Sequence, residues 1–130
     1  MSGQADLTVL LQTLRPVLHD EPYGYGLVPA GQPAPGPVFA RVDEAEGTTL
    51  IAPLAGLAGW GVAFTGEWAR ISLSVHSDLA AVGLTAAIAT ALAGAGISAN
   101  VVAGYFHDHV FVPWAARDRA MAALKDLADV

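Results

Sequence analysis

The amino-acid sequence predicts an α+β fold made of two intertwined units of the ferredoxin-like βαββαβ type. The second half of the 130-residue chain has the order strand, helix, strand, strand, helix, which is this unit without its last strand. The first half contains a hairpin, EGTTLIAP, that echoes HDHVFVP in the second half, since each ends in an apolar run and a proline. Both observations are explained by two degenerate copies of one module, each of which supplies a strand to the other. We place the two copies at residues 1–66 and 67–130.

The first half begins with a helical pattern. Leucines recur at helical spacing at positions 7, 10, 11, 14 and 18, and Pro16 is expected to kink or end this helix near Arg15. The alternating YGYGLV at 23–28 predicts a strand, and PAGQPAPGP at 29–37 a surface loop. Residues 38–43 and 48–52 predict a hairpin with Gly47 in its turn, followed by a short helix within residues 54–61.

The second half continues with a strand over residues 68–75. Leu84, Ile88 and Leu92 then lie on one face of a predicted helix, which the glycines at 94 and 96 can end. Strands are predicted at 100–105 and 109–112, with the tripeptide HDH (residues 107–109) at the turn between them. After Pro113, an apolar face that includes Leu124 predicts a last amphipathic helix.

Composition excludes several classes of function. The net charge is -6 with six scattered Lys and Arg residues, which argues against nucleic acid as a partner. The absence of cysteine removes disulfides and Cys-ligated zinc, and the N-terminus MSGQADL does not resemble a signal peptide, so we expect a cytoplasmic protein. The uncharged stretch 79–106 is too rich in Ala, Gly and Ser to favour a membrane span. Because only 14% of the residues are charged, part of the surface is expected to be covered in a homodimer.

The HDH tripeptide has several possible chemical roles. On a regular strand His107 and His109 would share a face and could hold a metal with His76 as a third ligand. One alternative is therefore a small metal-dependent enzyme that uses these histidines and Asp108, and another is a dimerisation module without a ligand. Neither a nucleophile elbow nor a phosphate-binding glycine loop accompanies them, so the sequence predicts no cofactor.

Three stretches of the second half resemble the ACT domain family: SVHSDLAAVGLT at 74–85, AGAGIS at 93–98 and GYFHDHVFVP at 104–113. The likeness is to small tandem-ACT proteins, and DHVFVP is similar to a run in the last ACT module of the CASTOR-type arginine sensors. The resemblance implies a regulatory module, not an enzyme, that binds an amino acid at the seam between two units. It also implies that the first strand-to-helix turn of one unit faces the start of the second strand of its neighbour.

Mapped onto this sequence, the resemblance nominates ten ligand-binding residues. Those of the turn are Ser77, Asp78, Val82, Gly83 and Leu84, and those of the strand are Ser98, Ala99, Asn100 and Val101. Asp108 is the tenth, by its likeness to the ligand-contacting Asp of the arginine sensors. Backbone N–H groups at a helix start suit an α-carboxylate, and a carboxylate such as Asp78 or Asp108 suits a ligand cation.

Overall fold

A computed structural model describes residues 7–74 and 83–129. In chain order its elements are α1 (Leu7–Gln12), β1 (Pro16–Leu18), β2 (Tyr23–Val28), β3 (Ala40–Glu44), β4 (Gly47–Pro53), α2 (Leu54–Gly59), β5 (Ala63–Leu73), α3 (Leu84–Gly94), β6 (Asn100–Ala103), β7 (Asp108–Pro113), a 3₁₀ turn (Trp114–Ala116) and α4 (Arg117–Ala128).

The chain forms two compact units. Residues Met1–His19 and Ala69–Val130 make up one of them, here called the discontinuous unit, and Asp20–Trp68 make up the inserted unit. The sequence modules predicted at residues 1–66 and 67–130 are a division along the chain, in which the first nineteen residues belong to the first module. They group with the C-terminal residues because their strand and their leucines pack there.

The missing strand of the second half is β1. In the discontinuous unit β5 lies between β1 and β7, and β6 follows β7 at the edge. β1 runs antiparallel to the end of β5, with Pro16 opposite Leu73 and Leu18 opposite Ile71. Taken from β5, the order is therefore that of a complete βαββαβ unit whose fourth strand comes from the N-terminal segment. The predicted α+β, ferredoxin-like fold with strands lent between sequence halves is confirmed.

The N-terminal segment differs from its prediction in one respect. α1 ends at Gln12, near Arg15 as predicted, but Pro16–Leu18 then form a strand, which was not predicted. Arg15 has a φ of 42°, a left-handed conformation that reverses the chain between the two elements. Leu18 follows the helical leucine spacing in the sequence, yet it packs on the same core from β1.

One apolar core holds the discontinuous unit together. Helices α1, α3 and α4 contribute Leu10, Ile88 and Leu124, which are fully buried. Strands β5 and β7 contribute Ile71, Leu73, Val110 and Val112 from alternating positions. Each such side chain stabilises the fold by about 1.5–3 kcal/mol relative to an exposed one. The alternation leaves His19, Arg70, Ser72 and His109 on the sheet face opposite these helices.

The inserted unit has the strand order β3-β4-β2-β5 with α2 packed on one face. Its YGYGLV strand carries glycines where α2 approaches: a Cβ at Gly26 would lie 2.9 Å from both Leu57 and Val62. Residues 29–39, which connect β2 to β3, contain no helix, so this unit lacks the first helix of the βαββαβ pattern. The loop and α2 are joined by an apolar cluster that includes Ala34, Val38 and Trp60.

Three further predictions were tested by these elements. The hairpin at Gly47 and the short helix after Pro53 are confirmed. His109 lies in a strand, as predicted, but Asp108, which was expected in the turn, opens the same strand β7 and pairs with Ala103. Within residues 7–74 and 83–129, no helix has the length and hydropathy needed to cross a membrane.

Candidate ligand-binding site

Asp108 is the nominated residue with the most unusual surroundings. It opens β7 opposite Ala103 and is only 9% exposed. Burial raises the pKa of its carboxyl group above the usual value, and the positive charge of His107 opposes this shift. A carboxylate kept from water is a strong partner for a ligand cation, because desolvation strengthens the attraction between the two charges.

The nominated turn residues are described only in part. Ser77, Asp78 and Val82 lie outside the described residues, as does His76 of the metal hypothesis. Gly83 precedes α3 with a φ of 98°, a left-handed conformation that favours glycine. A Cβ at this position would lie 3.2 Å from Leu7. Leu84 is buried in the core, so its side chain packs while its backbone begins the helix.

The nominated strand residues lie after the other end of α3. Ser98 and Asn100 are exposed, whereas Ala99 and Val101 pack against the core. An eleven-residue helix separates Gly83 from this group by about 16 Å, so one unit cannot present both groups to one small ligand. Both groups belong to the discontinuous unit, so they could contact one small ligand together only if a second copy of the chain supplied one of them. The site residues as a set stay a prediction.

Two shallow grooves lie elsewhere. One, of about 440 Å³, is lined by Ala91, Gly94, Ala95, Ala123, Asp126 and Leu127 on α3 and α4. The other, of about 210 Å³, is lined by Tyr25, Leu27, Ala63, Phe64 and Thr65 in the inserted unit. Neither of these two grooves includes a nominated residue.

A hydrogen-bonded chain that the sequence did not indicate crosses three neighbouring strands. Nε2 of His19 lies 2.8 Å from Oγ of Ser72, and the same oxygen lies 2.9 Å from Nδ1 of His109. His19 directly follows β1, whereas Ser72 and His109 belong to β5 and β7. Because a serine hydroxyl carries a single proton, at least one of the two imidazole nitrogens donates to it.

The pKa of the His109 imidazole lies far below its usual value. Burial, followed by the positive charges of Arg70, His107 and His19, lowers its pKa to about 4. Its ring is therefore neutral at pH 7, although it stands among groups that carry or can acquire positive charge. No local pattern connects His19, Ser72 and His109, since they lie 53 and 37 residues apart in the chain.

The described residues do not bring together the ligands that a metal site would need. Among residues 7–74 and 83–129, no group of three or more His, Asp or Glu side chains is arranged to hold an ion. Asp108 and His109 are consecutive on β7, so their side chains point to opposite faces of the sheet. His107 lies outside the strand and is exposed.

Comparison with family models assigns most of the chain. An ACT domain model matches residues 65–126, and a second ACT domain model matches residues 2–58. The chain is a tandem ACT-domain protein. The resemblance inferred from the DHVFVP and AGAGIS motifs is thereby confirmed. ACT domains are regulatory modules, and the tandem ACT protein has a regulatory, small-molecule-binding role in this general sense.

Solved structures add three informative neighbours. A protein of unknown function from Vibrio cholerae, described as a possible transport protein, is 39% identical with a TM-score of 0.81, over 98% of this chain and 99% of that one. The regulatory subunit of aspartate kinase from Thermus flavus is 14% identical with a TM-score of 0.63, over 86% of this chain and 95% of that one. E. coli aspartokinase III, in complex with aspartate and ADP, is 11% identical with a TM-score of 0.65, over 88% of this chain and 33% of that one.

The two kinase structures establish similarity of fold alone, because their sequence identity is low. The Vibrio cholerae protein matches the tandem ACT protein along nearly its whole length. No curated protein matches the chain.

Proposed function

We propose that this tandem ACT protein is a non-enzymatic sensor that binds an amino acid at the seam between two ACT-like units. The observation that carries the proposal is Asp108, a carboxylate only 9% exposed at the start of a strand in an ACT module. Burial of an acid is costly unless it is paired, so such a group suits a cation that arrives with a ligand. The α-ammonium or a cationic side chain of an amino acid supplies that charge.

The other end of the ligand would be held by backbone. Gly83 brings the chain into α3 without a Cβ, and the free N–H groups of a helix start suit an α-carboxylate. The strand residues 98–101 of a neighbouring unit would close the seam. Gly83 and residues 98–101 belong to the same unit, so this arrangement needs a second copy of the chain, and we propose a homodimer. We further propose a cytoplasmic location and two ACT-like sequence modules at residues 1–66 and 67–130. The similar fold of aspartokinase III, solved with aspartate, is compatible with an amino-acid ligand.

Thermal-shift and calorimetric screening of the twenty amino acids tests the proposal. We expect one amino acid to raise the melting temperature, with the effect lost in Asp108→Asn and retained in Asp126→Asn, which removes an exposed carboxylate on α4. An amino acid that stabilises the Asp108→Asn variant as strongly as the wild type would contradict the role of Asp108.

Divalent metals form the second arm of the same screen. Stabilisation by a metal that disappears in His107→Ala would replace the sensor with the metal-dependent enzyme. A chain that responds to neither amino acids nor metals would be a dimerisation module, and sedimentation would then report its oligomeric state without any ligand.

A further inference from the structure

The groove between helices α3 and α4 of the discontinuous unit is lined mostly by small side chains. They are those of Ala91, Gly94, Ala95 and Ala123. α3 carries no charged residue along its whole length, and its outward positions, among them Ala89 and Ala93, are exposed. A helix face that meets only water is usually charged, whereas the centre of an interface is depleted of charge. The uncharged face of α3 is therefore typical of a contact surface.

The two ends of the groove carry opposite charges. Arg119, in the first turn of α4, donates from Nη1 to the backbone oxygen of Ala95, 3.0 Å away, which holds the guanidinium at one end. Asp126, in the last turn of α4, is exposed and lines the groove. Seven positions separate the two residues, so they lie on one face of the helix about 10 Å apart.

Both charges oppose the dipole of α4. A cation in the first turn meets the positive end of the helix and an anion in the last turn meets the negative end, and each contact is unfavourable. Asp118 and Lys125 show the favourable order on the same helix. The position of Asp126 in particular is not explained by the stability of α4, and it suits a cation from outside the helix.

We propose that the α3–α4 surface is an interface with a second copy of this chain, related by a twofold axis beside Ala122 and Ala123. These two alanines lie midway between Arg119 and Asp126. In an antiparallel pair of α4 helices, Arg119 of one copy therefore lies opposite Asp126 of the other, and a twofold axis makes this contact twice. A guanidinium has five N–H donors, of which the bond to Ala95 uses one, so others can reach the carboxylate.

The order of the charges favours a second copy over another protein. A helix from an unrelated protein would have to present the same two charges in reverse order, whereas an antiparallel copy of α4 does so by symmetry. Only 14% of the residues of the chain are charged, which also favours a covered surface. The interface includes neither Gly83 nor residues 98–101 nor Asp108, so it is separate from the amino-acid seam proposed above.

Cysteine cross-linking of the full chain tests the position of the axis, because the chain has no cysteine of its own. Ala122→Cys should form a disulfide-linked dimer on mild oxidation, since its own copy lies one residue away along the partner helix. Asp118→Cys, which is also exposed on α4, is the control. Its own copy lies nine residues away, about 13 Å, which is beyond the span of a disulfide.

Charge reversals test the pairing of Arg119 with Asp126. Arg119→Asp and Asp126→Arg should each weaken self-association about tenfold in sedimentation velocity, because like charges then face each other. The double variant, which swaps the two charges, should restore association to within about threefold of the wild type. Both single reversals give α4 a favourable charge at its end, so the loss cannot come from a weaker helix. Lys125→Asp makes the same charge change as Arg119→Asp on another face of α4 and should leave association unchanged.

The two proposed contact surfaces can be told apart. If the amino-acid seam also joins two copies, the wild type is a tetramer and the single reversals leave a dimer. Asp126→Asn, which is expected to keep the amino-acid response in the screen above, should weaken only the helix contact. The failure of one proposal therefore leaves the other standing.

Several results would overturn the inference. A wild-type chain that stays monomeric would leave the groove to another occupant. An Ala122→Cys variant that forms no more disulfide than Asp118→Cys would exclude the twofold axis at this helix. Single reversals that associate as strongly as the wild type, or a charge swap that associates no better than they do, would contradict the pairing of Arg119 with Asp126.

Discussion

Acid should destabilise this protein through His109. Burial and neighbouring cations lower the pKa of this ring from 6.5 to about 4 in the folded state. Between these two values the unfolded chain binds more protons than the folded chain, so stability falls as the pH drops from 6.5 towards 4. At neutral pH both states hold the ring uncharged, and its contribution is fully present.

The size of the effect follows from the pKa difference. A shift from 6.5 to about 4 corresponds to roughly 3.4 kcal/mol at 1.36 kcal/mol per pH unit. The His109 ring is partly exposed, so solvent screening reduces the expected contribution to about 1–2 kcal/mol. Asp108 acts in the opposite direction, because its raised pKa makes the folded state bind more protons as the pH falls.

Urea unfolding at a series of pH values measures this contribution. The free energy of unfolding of the wild type is compared with that of His109→Gln, which retains a polar group beside Ser72 but cannot titrate. We expect the difference between the two proteins to grow by about 1–2 kcal/mol as the pH falls through the window below 6.5. Parallel curves for the two proteins would refute the argument and would mean that the ring titrates at its ordinary pKa.

Four other perturbations have clear expected outcomes. Gly26→Ala should destabilise the protein by about 1–3 kcal/mol in urea unfolding, because the added Cβ would lie only 2.9 Å from Leu57 and from Val62. Gly59→Ala should instead stabilise it by about 0.5–1 kcal/mol, because Gly59 lies in helix α2 and an added Cβ would meet no atom within 4 Å. Asp108→Asn should raise the stability of the ligand-free protein at pH 7, measured by the same method, because the buried carboxylate no longer has to ionise. The fragment 67–130 should be unfolded by circular dichroism, and adding the peptide 1–19 should restore its helical signal; an independently folded fragment would contradict the role given to β1.

Elements with a strong local pattern were predictable from the sequence. The YGYGLV strand and the helix with Leu84, Ile88 and Leu92 were recovered from the spacing of their residues, and the hairpin at Gly47 from its two β-prone runs and the glycine in its turn. The absence of a final strand in the second half was also apparent. Its source was not, since β1 has only three residues, the first of them a proline, and so short a segment carries too little pattern to identify it as a strand.

The residues of the candidate site could likewise be predicted only in part. Asp108 was nominated through a family resemblance, and its burial at the start of β7 could not have been inferred from HDH alone, which resembles a solvated turn. The His19–Ser72–His109 chain was missed because its hydrogen bonds join three strands that meet only in the folded sheet. Sequence reasoning recovers contacts within an element, whereas such long-range polar contacts depend on strand order and register.

One unit is inserted in the sequence of the other, and this order has a consequence for folding during synthesis. The segment that carries Leu10, Leu14 and β1 is made early, but its partners, residues 71–73 and Leu124, are made late. The inserted unit has its own core and can close on the ribosome before the discontinuous unit has all its strands. During that interval the N-terminal leucines stay exposed, and pairing over such a sequence separation is slow. The vulnerability of this protein to aggregation is therefore concentrated in a defined period of its own translation.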